Sequence, residues 1–177
     1  MLKDYKNHVQ ERLQQGIPPL ALNAEQVSDL VDLLKSPPKG EEDYILDLIT
    51  NRTPAGVDPA AYVKAGFLTA IAKGETTSPL IDKEHATTLL GTMLGGYNVE
   101  SLIGLLEDEE VGQIAAEGLS KTLLMFNAKH DVIELAQKNS NAKQVVDSWS
   151  NAEWFTSRPK LPETIKAIVF RVEGEIN

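Results

Sequence analysis

The sequence predicts an all-α fold of about eight or nine short helices in antiparallel pairs, followed by one β-strand. Three observations support this prediction. Apolar residues recur at helical spacing through most of the first 160 residues, Gly and Pro separate these segments at short intervals, and the period changes after Pro162. Because short connections return the chain beside the helix that it leaves, neighbouring helices are expected to be antiparallel.

The first three helices are predicted from their start and stop signals. The first covers residues 2–15 and ends at Gly16, a residue type that favours helix C-termini. Asn23 is expected to cap the second, with Gln26 three residues later completing a capping box. The third is predicted over residues 41–52, where an acidic start suits the positive end of the helix dipole.

The fourth helix has the clearest signals, with Asp58 as its cap, Pro59 at its first position and Gly74 after its end. Its apolar stripe is predicted to comprise Tyr62, Val63, Phe67, Leu68 and Ile71. Five further helices are predicted: one from Asp82 through Leu94, one capped by Asn98 through Leu106, one from about 107–110 through 126, one over 131–138 and one over 141–156.

The last segment has the pattern of a β-strand. Ile168, Phe170 and Val172 alternate along an extended stretch that we place at residues 164–173. A lone strand leaves its backbone hydrogen-bonding groups unpaired, so its sheet is expected to lie in another molecule or in sequence beyond this one. We therefore divide the chain into a helical domain, 1–160, and the start of a second domain, 161–177.

Composition narrows the possible functions. The chain is 42% hydrophobic and 24% charged, ordinary values for a globular protein, and its net charge of −9 makes nucleic acid an improbable partner. It has no apolar run of the roughly 18 residues that would suggest a membrane span, and its N-terminus lacks the pattern of a signal peptide, so we expect a cytoplasmic protein. With no cysteine, the chain cannot ligate an iron–sulfur cluster through thiolates.

No residue is nominated as catalytic, cofactor-binding or metal-binding. The three histidines, His8, His85 and His130, lack a second ligand at metal-binding spacing. The acidic run 107–110 is better explained as a helix start than as a cation site, because consecutive helical carboxylates diverge. The glycines at 91–96 lack the lysine of a phosphate-binding loop. Core packing is the favoured role of Trp149, Trp154 and Phe155.

Four stretches occur in a fixed order along the chain. They are NRTPAGVD at 51–58 leading into AAYVKAGFL at 60–68, LLGTM at 89–93 followed by GGYN at 95–98, SKTLLMF at 120–126, and Trp149 with AEWF at 152–155 and Arg158-Pro159. In this order and at these separations they resemble the N-terminal region of the bacterial aconitase B family (aconitate hydratase 2, or 2-methylisocitrate dehydratase), and the similarity covers essentially the whole chain.

This resemblance implies a HEAT-like α-superhelical domain, with the strand at 164–173 beginning a following, swivelling domain. It also implies a parent enzyme of the tricarboxylic acid cycle that interconverts citrate and isocitrate through cis-aconitate on a [4Fe–4S] cluster. The chain would then be a non-catalytic domain for protein interaction and active-site gating. Its implied partners are the other domains of the same enzyme, a second copy in a homodimer and other metabolic enzymes.

The chain departs from the family pattern around one turn. Leu94 stands where a polar residue is expected, and Glu100-Ser101 replaces an expected His-Pro pair. We nominate Asn51, Arg52, Tyr97 and Asn98 as an interface, because these polar groups have no evident packing role. The alternative function is a free-standing helical-repeat adaptor without enzyme activity. The unpaired strand disfavours this alternative, because a self-sufficient adaptor has little reason to retain one. A small autonomous enzyme would need converging titratable groups that the sequence does not indicate.

Overall fold

The computed structural model describes residues 1–122, 128–152 and 156–157. Within these ranges it contains nine α-helices and no strand, which confirms the all-α prediction there. The helices are α1 Leu2–Gln14, α2 Ala24–Lys35, α3 Glu42–Asn51, α4 Pro59–Ala72, α5 Lys83–Gly91, α6 Val99–Leu105, α7 Gly112–Ser120, α8 Lys129–Leu135 and α9 Ser140–Ser150.

Three predicted helix starts are confirmed at the level of hydrogen bonds. Asn23 and Gln26 form the reciprocal capping box, each side chain accepting from the backbone N–H of the other. Asp58 Oδ1 accepts from Ala60 N at 2.8 Å, and Asp82 Oδ1 accepts from His85 N at 2.7 Å. These side chains satisfy backbone donors that have no partner within the helix, and so fix where α2, α4 and α5 begin.

Several predicted helix boundaries are wrong. The helix predicted through Leu94 ends at Gly91, and the helix predicted to start near 107–110 starts at Gly112. The helices predicted through 126, 138 and 156 end at Ser120, Leu135 and Ser150. Asp108 Oδ1 accepts from Glu110 N at 2.9 Å and from Val111 N at 3.0 Å, which holds the acidic run in a turn before α7. The ninth helix begins at Ser140 because Asn139 caps it, accepting from Ala142 N.

The helices pack in series along the chain. α2 packs against α3 and α4, α4 against α5, α5 against α7, and α7 against α6 and α9. Their apolar faces form one continuous core that extends from Tyr5 to Val145. Its largest fully buried side chains are Leu22, Leu30, Leu34, Ile45, Leu48, Ile49, Leu68, Ile81, Leu90, Leu102, Leu106 and Leu119. The HEAT-like superhelix itself stays a prediction.

Glycine allows α5 and α7 to cross at short range. A Cβ atom added to Gly118 would lie 2.8 Å from Gly91 Cα, and one added to Gly91 would lie 3.1 Å from Gly118 Cα. Backbone atoms cannot move aside as the end of a side chain can, so this crossing requires glycine on both helices.

Several predictions fall beyond the part of the chain that the structure describes. The strand at 164–173, the domain boundary at 160 and the placement of Trp154 and Phe155 lie outside the described residues. In the described part, every helix is too short or too polar to cross a membrane.

Candidate interaction surface

Two connections between helices meet at the surface through their backbones. One joins α3 to α4 and contains Gly56, and the other joins α5 to α6 and contains Gly95. A Cβ atom added to Gly95 would lie only 2.3 Å from the carbonyl carbon of Gly56. Both glycines also have positive φ angles, +83° for Gly56 and +96° for Gly95, which other L-residues adopt rarely. The contact therefore depends on glycine at both positions.

Tyr97 holds the two connections together from the α6 side. Its hydroxyl donates a hydrogen bond to Val57 O at 3.1 Å. Its ring packs edge to face against that of Tyr62 on α4, with the ring centroids 5.3 Å apart and the planes at 75°. This is a favourable geometry for two aromatic quadrupoles. One side chain thus fixes the orientation of the α5–α6 connection relative to both its neighbour and α4.

Asn98 is buried, with 1% of its surface exposed. Its Nδ2 donates to Leu90 O at 2.7 Å and to Met93 O at 3.3 Å. It precedes α6 as expected, but its side chain makes no capping bond to that helix. It instead donates to Leu90 O in the last turn of α5 and to Met93 O just beyond that helix, where carbonyl groups have no i+4 partner. The premise that the nominated polar groups have no packing role is therefore wrong for Asn98.

Asn51 and Arg52 are occupied elsewhere. Asn51 Nδ2 donates to Asp47 Oδ1 at 2.8 Å, within α3. Arg52 O accepts from Leu22 N at 2.8 Å. The Arg52 charge acts on Tyr5 of α1, where burial raises the pKa of the phenol and Arg52 partly offsets that rise. The structure therefore joins Tyr97 and Asn98 at the α5–α6 connection, whereas Asn51 bonds within α3 and the Arg52 carbonyl bonds the segment before α2.

Four large apolar side chains are exposed where the two connections meet. Val57 is 72% exposed, Tyr62 65%, Leu94 67% and Tyr97 36%. We call these four residues the apolar patch. Of these four, the sequence pattern predicted only Tyr97 at the surface, since Tyr62 falls in the predicted apolar stripe of α4 and Leu94 at the end of the predicted fifth helix. Both assignments are wrong. No local signal distinguishes these residues, because apolar spacing alone does not tell a packed side chain from an exposed one.

A buried lysine lies between α3 and α4. Lys64 is 6% exposed, and its Nζ donates to Thr50 O at 3.3 Å. Burial penalises the charged ammonium and lowers its pKa to about 8. Thr50 belongs to the last turn of α3, where carbonyl groups attract a cation. Lys64 therefore ties the end of α3 to the middle of α4.

The acidic run 107–110 also contributes an ion-pair cluster. Lys83 Nζ lies 3.6 Å from Asp108 and 3.3 Å from Glu110. The hydrogen bond that Lys83 donates to Glu110, together with the two acidic charges, raises the pKa of Lys83. Hydrogen bonds donated by the backbone N–H groups of Val111 and Glu110 lower the pKa of Asp108. These contacts attach the start of α5 to the turn before α7. In the described ranges no group of three or more His, Cys, Asp or Glu side chains is placed to hold a metal ion.

Comparison with known proteins gives the same family along the whole chain. Residues 4–155 match the aconitate B N-terminal domain. Aconitate hydratase B of Pseudomonas aeruginosa is 60% identical over the entire chain, and those of Salmonella typhimurium and Escherichia coli are 58% and 57% identical over it. The alignments cover 20%, 21% and 21% of these relatives, so the chain spans about a fifth of their length. The chain therefore belongs to the aconitate B N-terminal domain family.

Proposed function

We propose that this chain is the non-catalytic interaction domain of an aconitate hydratase. In this proposal it shapes the route to an active site that other parts of the polypeptide provide. The proposal rests on one observation: the whole chain aligns with only about a fifth of the length of relatives that are named aconitate hydratase B. The reaction, the interconversion of citrate and isocitrate through cis-aconitate, is assigned to the remaining part.

A [4Fe–4S] cluster does not fit this chain. Such clusters are held by cysteine thiolates, and the chain contains none. The prominent titratable groups of the described residues also have structural partners. Lys83 pairs with Asp108 and Glu110, and Lys6 pairs with Glu41 at 2.6 Å. We therefore derive no catalytic step from these residues.

The surface of the domain supports a role in association. The apolar patch exposes four large side chains together, and the largest contiguous apolar patch of a protein surface is often functional. The proposed partners are the other domains of the same enzyme, a second copy of the chain and other metabolic enzymes, and the proposed location is the cytoplasm.

The proposal is tested with three proteins: the natural full-length polypeptide, the same polypeptide without residues 1–157, and the present chain alone. Hydration of cis-aconitate and sedimentation equilibrium are measured for each. We expect no turnover by the chain alone, and a shortened enzyme that keeps its cluster absorbance but changes in kcat/KM or in self-association.

Three results would contradict this. Turnover by the chain alone would place catalysis in it. Unchanged kinetics and association in the shortened enzyme would remove the gating and interaction roles. A natural polypeptide no longer than this chain would favour the free-standing adaptor.

A further inference from the structure

The connection from α1 to α2 forms a strap at the surface, which we define as residues 16–21. All of its residues except one are exposed. Backbone hydrogen bonds anchor it near both ends. Ile17 N donates to Arg12 O at 3.1 Å, and Leu22 N donates to Arg52 O at 2.8 Å. Because burial contributes little between these anchors, hydrogen bonds must hold the strap in place there.

Three side chains of α1 bind the backbone of the strap. Arg12 Nε donates to Pro18 O at 3.0 Å. Leu20 N donates to His8 Nε2 at 3.1 Å, and the Tyr5 hydroxyl donates to Leu20 O at 2.7 Å. These side chains follow one another at helical spacing, so they lie on one face of α1. That face supplies partners for backbone groups that have none within a helix or sheet.

The contact of His8 differs from the other two, because its ring nitrogen accepts. Nε2 therefore carries no proton, and the imidazole is neutral with its hydrogen on Nδ1. A protonated ring has N–H groups at both nitrogens, so the N–H of Leu20 would face another donor. Histidine changes charge between about pH 5 and 8, whereas tyrosine and arginine do not. Among the three contacts, only that of His8 is sensitive to pH in this range.

No neighbouring group can replace the lost bond. The strap has no titratable side chain. Charged or titratable groups one turn from His8 on α1, or acting on the adjacent Tyr5 from α3, are Asp4, Tyr5, Glu11, Arg12, Asp47 and Arg52. Asp4 lies 3.5 Å from the N-terminal amine, and the Tyr5 ring, 5.8 Å from the imidazole, offers no acceptor to a protonated Nε2. Three acidic and two basic side chains nearly cancel, so the bond to Leu20 N decides which form of His8 is bound.

We propose that protonation of His8 releases the strap and thereby loosens α1 from the rest of the domain. Tyr5 is the buried residue of α1, and its hydroxyl loses its acceptor when Leu20 moves away. The helix pairs that pack closely in the core do not include α1, so the strap is a substantial part of its attachment. The ion pair of Lys6 with Glu41 remains, so α1 loosens without unfolding. This inference does not depend on the proposed function.

The sign and size of the effect follow from proton linkage. The closed strap binds only the neutral ring, so closure is favoured at high pH and is lost as the pH falls. A histidine in water titrates near pH 6.5, and the closing equilibrium should therefore weaken about tenfold between pH 7.5 and pH 5.5.

The test is hydrogen–deuterium exchange of the natural full-length polypeptide, resolved to single amides and corrected for intrinsic exchange at each pH. Between pH 7.5 and pH 5.5, the protection of the Leu20 amide should fall about tenfold. The amide of Val9, in the middle of α1, should lose protection in the same direction. The amide of Leu30, which is fully buried in α2, is the reference and should not change.

Matched variants separate His8 from other groups that titrate. His8→Gln places an amide oxygen about where Nε2 lies, and this oxygen accepts at any pH, so Leu20 should stay protected at both values. His8→Ala removes the acceptor and should leave Leu20 equally unprotected at both. His85→Gln removes a histidine at the start of α5 and should behave as the wild type.

The inference would be overturned if the wild-type Leu20 amide kept its protection at pH 5.5, or if His8→Gln lost as much as the wild type. A parallel loss at Leu30 would indicate general destabilisation and would also overturn it. Loss at Leu20 without any loss at Val9 would contradict the loosening of α1. None of these results affects the proposed function, which depends on the deletion experiment.

Discussion

Glycine brings two backbones together in two places, once in the interior and once at the surface. At the crossing of α5 and α7, Gly91 and Gly118 lie beside Leu90 and Leu119, which are fully buried. At the contact of the two connections, Gly56 and Gly95 lie beside Val57 and Leu94, which are mostly exposed. The interior contact lets helices pack closely and stabilises the fold. The surface contact positions side chains that bury little area within the domain, so its role is to orient them.

The largest effect is expected at the interior crossing. Gly118→Ala places a methyl group 2.8 Å from Gly91 Cα, so the helices must separate and the core around them must loosen. We expect a loss of about 3 kcal/mol in the free energy of unfolding, measured by urea denaturation. Gly66→Ala in α4 is the matched control, because its Cβ meets nothing within 4 Å. It should stabilise the chain by about 0.5–1 kcal/mol through helix propensity. Similar losses in both variants would contradict the role of the crossing.

Asn98 connects the two regions, since its side chain satisfies the end of α5 and its backbone enters the surface connection. Asn98→Ala removes two buried hydrogen bonds, to Leu90 O and to Met93 O, and we expect a loss of about 2 kcal/mol in the free energy of unfolding. The measurement is again urea denaturation, with amide hydrogen exchange at the end of α5. Asn51→Ala is the control, because it removes an exposed amide whose hydrogen bond lies within α3. A loss no larger than that of the control would show that water replaces the Asn98 donor.

The buried charge of Lys64 is expected to lower the stability of the fold. Lys64→Met should therefore raise the free energy of unfolding at pH 7 by roughly 1–2 kcal/mol. This is the gain from removing the buried charge, reduced by the loss of the hydrogen bond to Thr50 O. The lysine pKa is about 8 in the folded chain and 10.5 when unperturbed. Between these values the unfolded state binds more protons, so this group makes the wild type more stable as pH rises.

The advantage of the Lys64→Met variant should therefore shrink from pH 8 to pH 10.5. Denaturation of both proteins across that range measures the difference and cancels the titration of other groups. A constant difference would mean that the folded Lys64 keeps its ordinary pKa.

Local signals predicted the helix starts well because each depends on residues close in sequence. Asn23 and Gln26, or Asp58 and Pro59, form their contacts within a single turn. The end of α5 depends instead on Asn98 and on the crossing with Gly118, which are seven and 27 positions beyond Gly91. Such contacts are not visible in the local pattern of apolar residues. The start of α7 was predicted wrongly for a similar reason. Asp108 accepts a hydrogen bond from Glu110 N within the turn before α7, and Glu110 forms an ion pair with the distant Lys83.

The candidate surface was predicted only in part. The turn at Tyr97 was chosen because it is a polar loop, and the structure does place it in the apolar patch. Arg52 was nominated as a polar loop residue, but it is the C-cap of α3 and its carbonyl accepts from Leu22 N. Val57 and Leu94 were not chosen, because exposure of an apolar side chain depends on which connection packs beside it. The backbone contact of Gly56 with Gly95 determines that, and the two glycines are 39 positions apart in the sequence.

The smallest effect is expected at the surface contact itself. Tyr97→Phe removes the hydrogen bond to Val57 O but keeps the ring against Tyr62, so the free energy of unfolding should fall by about 0.5 kcal/mol. Tyr62→Phe is the control, because the ring of Tyr62 rather than its hydroxyl makes the aromatic contact, and it should change nothing measurable. Urea denaturation gives the stabilities, and nuclear Overhauser effects between the two rings report their geometry. If Tyr97→Phe lost more than about 1.5 kcal/mol, the surface contact would be stabilising the fold as the interior crossing does. Because Tyr97 would then be needed for folding, its exposure could no longer be attributed to a partner.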